Sequence, residues 1–458
     1  MRFLACALGL MVSIVSPRAI AATDANAVLQ LGDFREIAAR ADAPVRLSVR
    51  DVDAAPMVLE LAPIEVFAAD ARIVLVIAGK EIALPRPQVR YFRISGPGED
   101  RGLMVVTEEG DVAGLVQRGG TYLRLDTSEG FVRLAERVAE ADSGGPFTCG
   151  NDAMNAASPV SQASEVVMSV APDLLIATHQ ARIAIDTDEE FLARFSGNST
   201  TATNYVGALI GYISTIYDAQ VQTQMQVSYL RLWTPGTDPW VQTTSGCMLL
   251  ETGKHWNDNQ GAVSRTIMHF LSGKTARAGI AWIGVLCGSA FSTSPSQLGQ
   301  SCAGMPDATS LNYGGAYGVT SGIAGNFDAT NPISTWDLVG VAHEIGHNFN
   351  SPHTHCYAGL EGNASSIDQC YVEGGAACYA GPTSLPGAGL ATGTLMSYCH
   401  MRPGGMANIA LTLGAGHGFG VAPERVPTRM RNHVLSRAQA MPACLALPAP
   451  DIYLNGFE

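Results

Sequence analysis

Histidine is absent from the first 178 residues of this 458-residue chain; all ten histidines lie from His179 onward. An independent imidazole metal site in the N-terminal third is therefore excluded. Basic residues are few, 28 Lys+Arg against 41 Asp+Glu, and a net charge of -13 leaves no basic face for a nucleic acid. Beyond the N-terminus no apolar run approaches the length of a bilayer span. No internal repeat is present. Cysteine is scarce before residue 247, with only Cys6 and Cys149 there. Against these absences, apolar residues make up 47% of the chain, enough for sizeable cores and too many for wholesale disorder. The length predicts two to four domains.

Met1-Arg2, the apolar stretch Phe3–Val15 and the small residues Ala19, Ala21 and Ala22 read as a cleaved export signal over 1–22. The mature protein is then expected to be soluble, outside the cytoplasm and without a membrane span. Residues 23–142 carry short β-branched segments, Val45–Val49, Val58–Leu61, Ile73–Ile77 and Tyr91–Ile94, punctuated by Gly and Pro, and predict a small, mostly-β domain. Residues 143–164 are rich in Gly, Ser, Asn and Ala and read as a linker holding Cys149. Residues 165–445 alternate strands (Ile183–Ile185, Val227–Trp233, Ile280–Leu286, Ala316–Ile323) with a helix over Asn204–Val221, for which Ser199, Thr200 and Thr201 offer caps. That alternation predicts an α/β or α+β layered domain. Residues 446–458 read as a tail.

Cys6 leaves with the signal. With Cys149 set aside, Cys247, Cys287, Cys302, Cys356, Cys370, Cys378, Cys399 and Cys444 can form four disulfides in an oxidising compartment.

The chemistry concentrates between Trp336 and His353. Leu338, Val341, Ala342, Ile345 and Phe349 form an apolar helical stripe, with Ser334 and Asp337 placed as a capping box. His343 and His347 fall off that stripe, one turn apart, so both imidazoles can bind one zinc ion while Glu344 stands beside it. Zinc needs a third protein ligand and an open position for water. His353 supplies it if the chain turns sharply after Phe349. In the pattern H-E-x-x-H-x-x-G-x-x-H a glycine makes that turn; here Asn350 holds the place, the residue next most tolerant of a left-handed backbone. His355 is the rival third ligand, at a less suitable spacing.

The run from His343 to His353 resembles the zinc signature of the metzincins and is similar to their adamalysin, or reprolysin, branch; the similarity extends over most of 175–445. The resemblance implies a catalytic domain with a mixed twisted sheet, an active-site helix and a methionine turn, preceded by a mostly-β prodomain. It implies one catalytic Zn2+, hydrolysis of internal peptide bonds in protein or peptide substrates, and a Cys287–Cys444 bridge. Of the other pairings, Cys356–Cys399, Cys370–Cys378 and Cys247–Cys302 are one set that uses every remaining thiol. Gly393–Tyr398 fits the methionine turn, with Met396 as the floor residue. Tyr398, two residues on, matches a tyrosine that in astacins and serralysins helps bind zinc or the oxyanion, and departs from typical adamalysins. The strand Ala316–Ile323 takes the place of the family's edge strand, along which substrate lies antiparallel. The family admits a structural Ca2+, for which no diagnostic loop stands here. Metzincin propeptides often carry a cysteine that blocks the metal; Cys149, in the run Phe147–Asp152, is similar, and a thiolate is a strong zinc ligand. The chain is expected to act as a monomer.

Two other classes compete. One is a catalytically inactive metzincin-like binding or toxin module, which the intact His343, Glu344, His347 and His353 disfavour. The other is a zinc enzyme with a distant acidic third ligand, which His353 and Met396 together disfavour.

Overall fold

The computed structural model describes residues 28–32, 34, 43–97, 100–107, 110–118, 121–128, 130–136, 147–153, 179–325 and 332–445; the signal read over 1–22 and the tail 446–458 lie outside them. The N-terminal elements are β1 (Val28–Leu29), β2 (Val45–Arg50), β3 (Pro56–Ile64), β4 (Phe67–Ile77), β5 (Lys80–Ala83), β6 (Arg90–Ser95), β7 (Arg101–Val106), β8 (Val112–Arg118), β9 (Thr121–Ser128) and β10 (Phe131–Glu136). Then come β11 (Thr148–Cys149), β12 (His179–Thr187), α1 (Glu189–Ala193), α2 (Ser199–Val221), β13 (Thr223–Trp233), α3 (Ser245–Asn259), β14 (Ile267–Ser272), β15 (Ala278–Ala281), β16 (Tyr317–Ser321), α4 (Pro332–Asn348) and α5 (Arg425–Ala440). The chain is thus mixed α/β with a β-rich N-terminal part. Among the described residues no helix is long and apolar enough to cross a membrane.

The first sheet closes on itself, β2–β10–β9–β8–β7–β6–β3 and back to β2. Alternate residues point inward, as a pleated strand requires: Leu47 and Val49, Leu59 and Leu61, Phe92 and Ile94, Met104 and Val106, Val132 and Leu134 share one buried core. Outward-facing Tyr91, Leu103, Leu115 and Tyr122 join a second, larger core with α2. Gly207 and Gly211 of α2 let the barrel approach; a Cβ at Gly207 would stand 2.0 Å from the Tyr91 hydroxyl.

The second sheet runs β11-β15-β16-β14-β12-β13-β4-β5. Its β4 and β5 come from the N-terminal region. Between β3 and β6 the chain departs from the barrel, and β4 pairs parallel with β13, from Phe67↔Val227 to Val76↔Trp233. The Arg182–Asp70 ion pair and a Tyr229–Glu81 hydrogen bond of 2.8 Å fasten the same seam, while the Arg93–Asp218 ion pair joins barrel strand β6 to α2. Sequence reading had β4 as one more strand of a separate domain.

Three further expectations change. Ala316–Ile323 was read as the edge strand, but β16 lies between β14 and β15, all five residues buried, as a strand covered on both faces must be. β15 pairs antiparallel outside it, and β11 covers β15 in turn. The caps differ too: α2 begins at Ser199 with Asn198 accepting from the Thr201 N–H, and α4 begins at Pro332, ahead of Ser334. Asp337 serves the preceding loop instead, accepting from the Ala324 and Gly325 N–H groups and the Tyr205 hydroxyl.

Cys247–Cys302 and Cys287–Cys444 are bonded, but the other bridges are Cys356–Cys378 and Cys370–Cys399 rather than Cys356–Cys399 and Cys370–Cys378. The backbone explains the exchange. Ala358 N bonds Ala377 O and Tyr379 N bonds His355 O, which lays 355–358 beside 377–379; Ile367 N bonds Thr354 O and Thr354 N bonds Met396 O, which brings Cys370 to Cys399.

Candidate metal centre

Helix α4 carries its apolar stripe into the core, with Leu338, Val341, Ala342, Ile345 and Phe349 all buried. That packing aims His343 and His347 at one point, their Nε2 atoms 3.1 Å apart. The helix stops at Asn348. Asn350 follows with φ +77°, in the left-handed region, and Arg429 Nε donates to its carbonyl at 2.7 Å. The turn returns His353 to the same point, its ring 5.3 Å from that of His343 and 4.8 Å from that of His347. Met396 lies against the helix at Gly346: a Cβ there would stand 2.3 Å from its Sδ, so only glycine lets the methionine approach.

Each imidazole is held from behind. His343 Nδ1 lies 2.7 Å from Leu395 O, His347 Nδ1 2.7 Å from Ser351 O, and His353 Nδ1 3.0 Å from Glu373 Oε2. Carbonyl and carboxylate oxygens only accept, so each Nδ1 carries the proton and each Nε2 a lone pair. Burial and the crowding of neighbouring imidazoles hold His343 and His347 far below the ordinary histidine pKa, and burial pushes His353 down to about 3 against the pull of Glu373. Neutral rings presenting lone pairs to one another are the donor set a divalent cation requires.

Cys149 completes a group of four that could hold a metal ion. Its Sγ stands 3.5 Å from His347 Nε2 and 3.7 Å from Glu344 Oε2, and ligand atoms of Cys149, His343, His347 and His353 all lie within 4.8 Å of one another. A tetrahedral zinc site with Zn–N near 2.05 Å has donor separations of about 3.3 Å, longer where one donor is sulfur. The observed 3.1 and 3.5 Å fit that figure. Cys149 does not lie in a loose linker: residues 147–153 pack against the site. β11 pairs parallel with β15, Cys149 opposite Gly279, while Phe147 packs on Trp336 and His400.

Glu344 is fully buried beside the histidines, its carboxylate against Gly279, where a Cβ would stand 2.2 Å from Oε1. Tyr398 packs on His353 with ring centroids 4.3 Å apart and planes tilted by 46°, and its hydroxyl donates to the Cys149 carbonyl at 3.0 Å. His355, the rival ligand, is outside the group of four and bonds Glu373 at 2.9 Å. Sequence reasoning missed Glu373 and Gly279. Neither has a sequence signal, since one is a single acid in an irregular loop and the other a glycine in a strand.

Residues 177–406 match the family model Reprolysin_5, metallo-peptidase family M12. No curated protein matches the chain. Among solved structures, 74% of the chain is similar to 92% of metalloproteinase-II from Bacteroides fragilis, at 10% identity and a TM-score of 0.34. Another similarity joins 72% of the chain to 40% of a chain in a chaperone–substrate complex, at 9% identity and a TM-score of 0.28.

Proposed function

The chain belongs to metallopeptidase family M12, and from that premise we propose that it is a secreted zinc-dependent endopeptidase made as a latent zymogen, with His343, His347 and His353 as zinc ligands and Glu344 as general base. The observation that carries this reading is the convergence of three imidazoles whose Nδ1 atoms are all engaged, leaving three Nε2 lone pairs aimed at one point. Four disulfides suit an oxidising compartment outside the cytoplasm.

When bound there, zinc lowers the pKa of a water molecule and polarises the scissile carbonyl. Glu344 takes the proton of the attacking water and delivers it to the leaving amine. β15 offers an extended peptide a row of backbone donors and acceptors, with antiparallel docking that is sparing of sequence selectivity. Tyr398, once its hydroxyl leaves the Cys149 carbonyl, is placed to donate to the developing oxyanion.

Latency follows from the same contacts. β11 takes the β15 edge in the direction opposite to such a substrate and presents a sulfur, not a peptide carbonyl, to the ligands. Residues 23–142 and the segment carrying Cys149 act as the propeptide, and Met396 as the floor of the site. The test is zinc content together with casein or gelatin hydrolysis, before and after removal of the propeptide, with Glu344→Ala as control. One zinc per chain and hydrolysis only after processing are expected. Bound zinc without hydrolysis in the processed protein points to an inactive binding module, and hydrolysis that survives Glu344→Ala overturns the mechanism.

A further inference from the structure

Two of the three histidines rest on backbone carbonyls, that of Leu395 beside Met396 and that of Ser351 in the turn after the helix. The third rests on a side chain. Glu373 is buried, and its Oε2 accepts from His353 Nδ1 at 3.0 Å and from His355 Nε2 at 2.9 Å. One carboxylate oxygen thus takes two imidazole N–H groups, and the two rings lie nearly parallel, 17° apart with centroids at 5.3 Å. The loop that delivers Glu373 is tied on both sides. Before it, Cys370 is bonded to Cys399, just after Met396; beyond it, Cys378 is bonded to Cys356, just after His353. Tyr371 of the same loop packs on His355 and Tyr398.

We propose that Glu373 is a positioning residue for His353, brought behind the metal centre by this doubly cross-linked loop and oriented by His355. This rests on the zinc-site reading above. A carboxylate behind a ligating imidazole fixes its tautomer, restrains its ring and raises its basicity, and losing such a partner lowers metal affinity. His355, outside the group of four, acquires a role: its N–H holds the carboxylate in line with His353. The two disulfides close a frame around the third ligand where the signature itself ends.

The test measures zinc release from the full-length chain to a chromogenic chelator, 4-(2-pyridylazo)resorcinol, with no turnover involved. Glu373→Ala should release zinc about 10- to 100-fold faster than wild type. Glu373→Gln keeps shape and an acceptor oxygen but no charge, and should fall between them; His355→Phe, which leaves Glu373 in place, should give a smaller increase. Cobalt(II) substitution supplies a second readout, with the d–d bands of Glu373→Gln shifted from wild type. If Glu373→Ala does not fold, the near-isosteric Glu373→Gln decides. Wild-type release rates and unshifted cobalt bands in Glu373→Gln overturn the proposal. A wild-type chain that takes up no zinc overturns the zinc-site reading as well; one zinc held equally well by wild type and variants overturns the role of Glu373 alone.

Discussion

Replacing Gly279 by alanine should separate catalysis from folding. Gly279 stands in β15 with its Cα against Glu344, and an added Cβ would lie 2.2 Å from Oε1 and 2.7 Å from both Cγ and Cδ. From 2.2 Å to the 3.4 Å of ordinary contact, the carboxylate must retreat about 1.2 Å. The atoms that give way belong to the end of a flexible side chain, not to backbone, so the fold should survive at a cost of about 1 kcal/mol, the low end of overpacking. Catalysis has no such slack. With Glu344 as general base, as proposed, a displacement of about 1 Å loses on the order of 10²-fold in rate, because proton transfer needs hydrogen-bond distance. The assay is steady-state cleavage of a fluorogenic peptide by the processed enzyme, with zinc content and melting temperature measured in parallel. We expect kcat reduced on the order of 10²-fold, KM little changed and zinc retained. A variant that keeps its zinc and falls within about threefold of wild-type kcat would refute the reasoning.

Cys149→Ser in the full-length chain should leave zinc on its three histidines but raise hydrolysis by the unprocessed protein on the order of 10²-fold, the gain one tethered contact commonly confers; peptide cleavage equal to wild type would remove the thiol from latency. Asn350→Val forces a β-branched residue into φ +77° and should cost about 1–2 kcal/mol or more in urea unfolding, whereas Asn350→Gly should stay within about 1 kcal/mol of wild type. Burial holds the Asp188 carboxyl up at about 6 against its bonds to Ser272 and to the Gly273 and Phe191 N–H groups. The folded chain therefore keeps a proton there that the unfolded chain, with the ordinary 3.8, gives up, and stability falls as pH rises from about 4 to 6, on the order of 2–3 kcal/mol. Asp188→Asn cannot titrate and should lose that part of the slope; an unchanged slope would contradict the assignment.

Part of the element order beyond residue 179 is legible because apolar spacing is local: Val227–Trp233 sits in β13 and Asn204–Val221 in α2, whereas α3 and β14 are not legible and the strand expected over Ile280–Leu286 is confined to Ala278–Ala281. The histidine spacing was legible for the same reason, since one helical turn and one left-handed residue decide it. What escaped was set by distance along the chain. Nothing near Ala316–Ile323 says that β15 will pair outside it. The bridges of Cys356 and Cys370 depend on backbone bonds that join 355–358 to 377–379 and 354 to 396. Glu373 meets His353 only because those bridges fold its loop back. The pairing of β4 with β13 rather than with a barrel strand likewise depends on an edge far away in sequence.

The most direct test is X-ray absorption at the zinc edge of the full-length chain, wild type beside Cys149→Ser. Wild type should show three imidazole nitrogens at about 2.0–2.1 Å and one sulfur at about 2.3 Å. The variant should keep the three imidazoles and lose the sulfur. Fewer than three imidazoles in wild type, or a sulfur shell that persists in Cys149→Ser, would contradict the account.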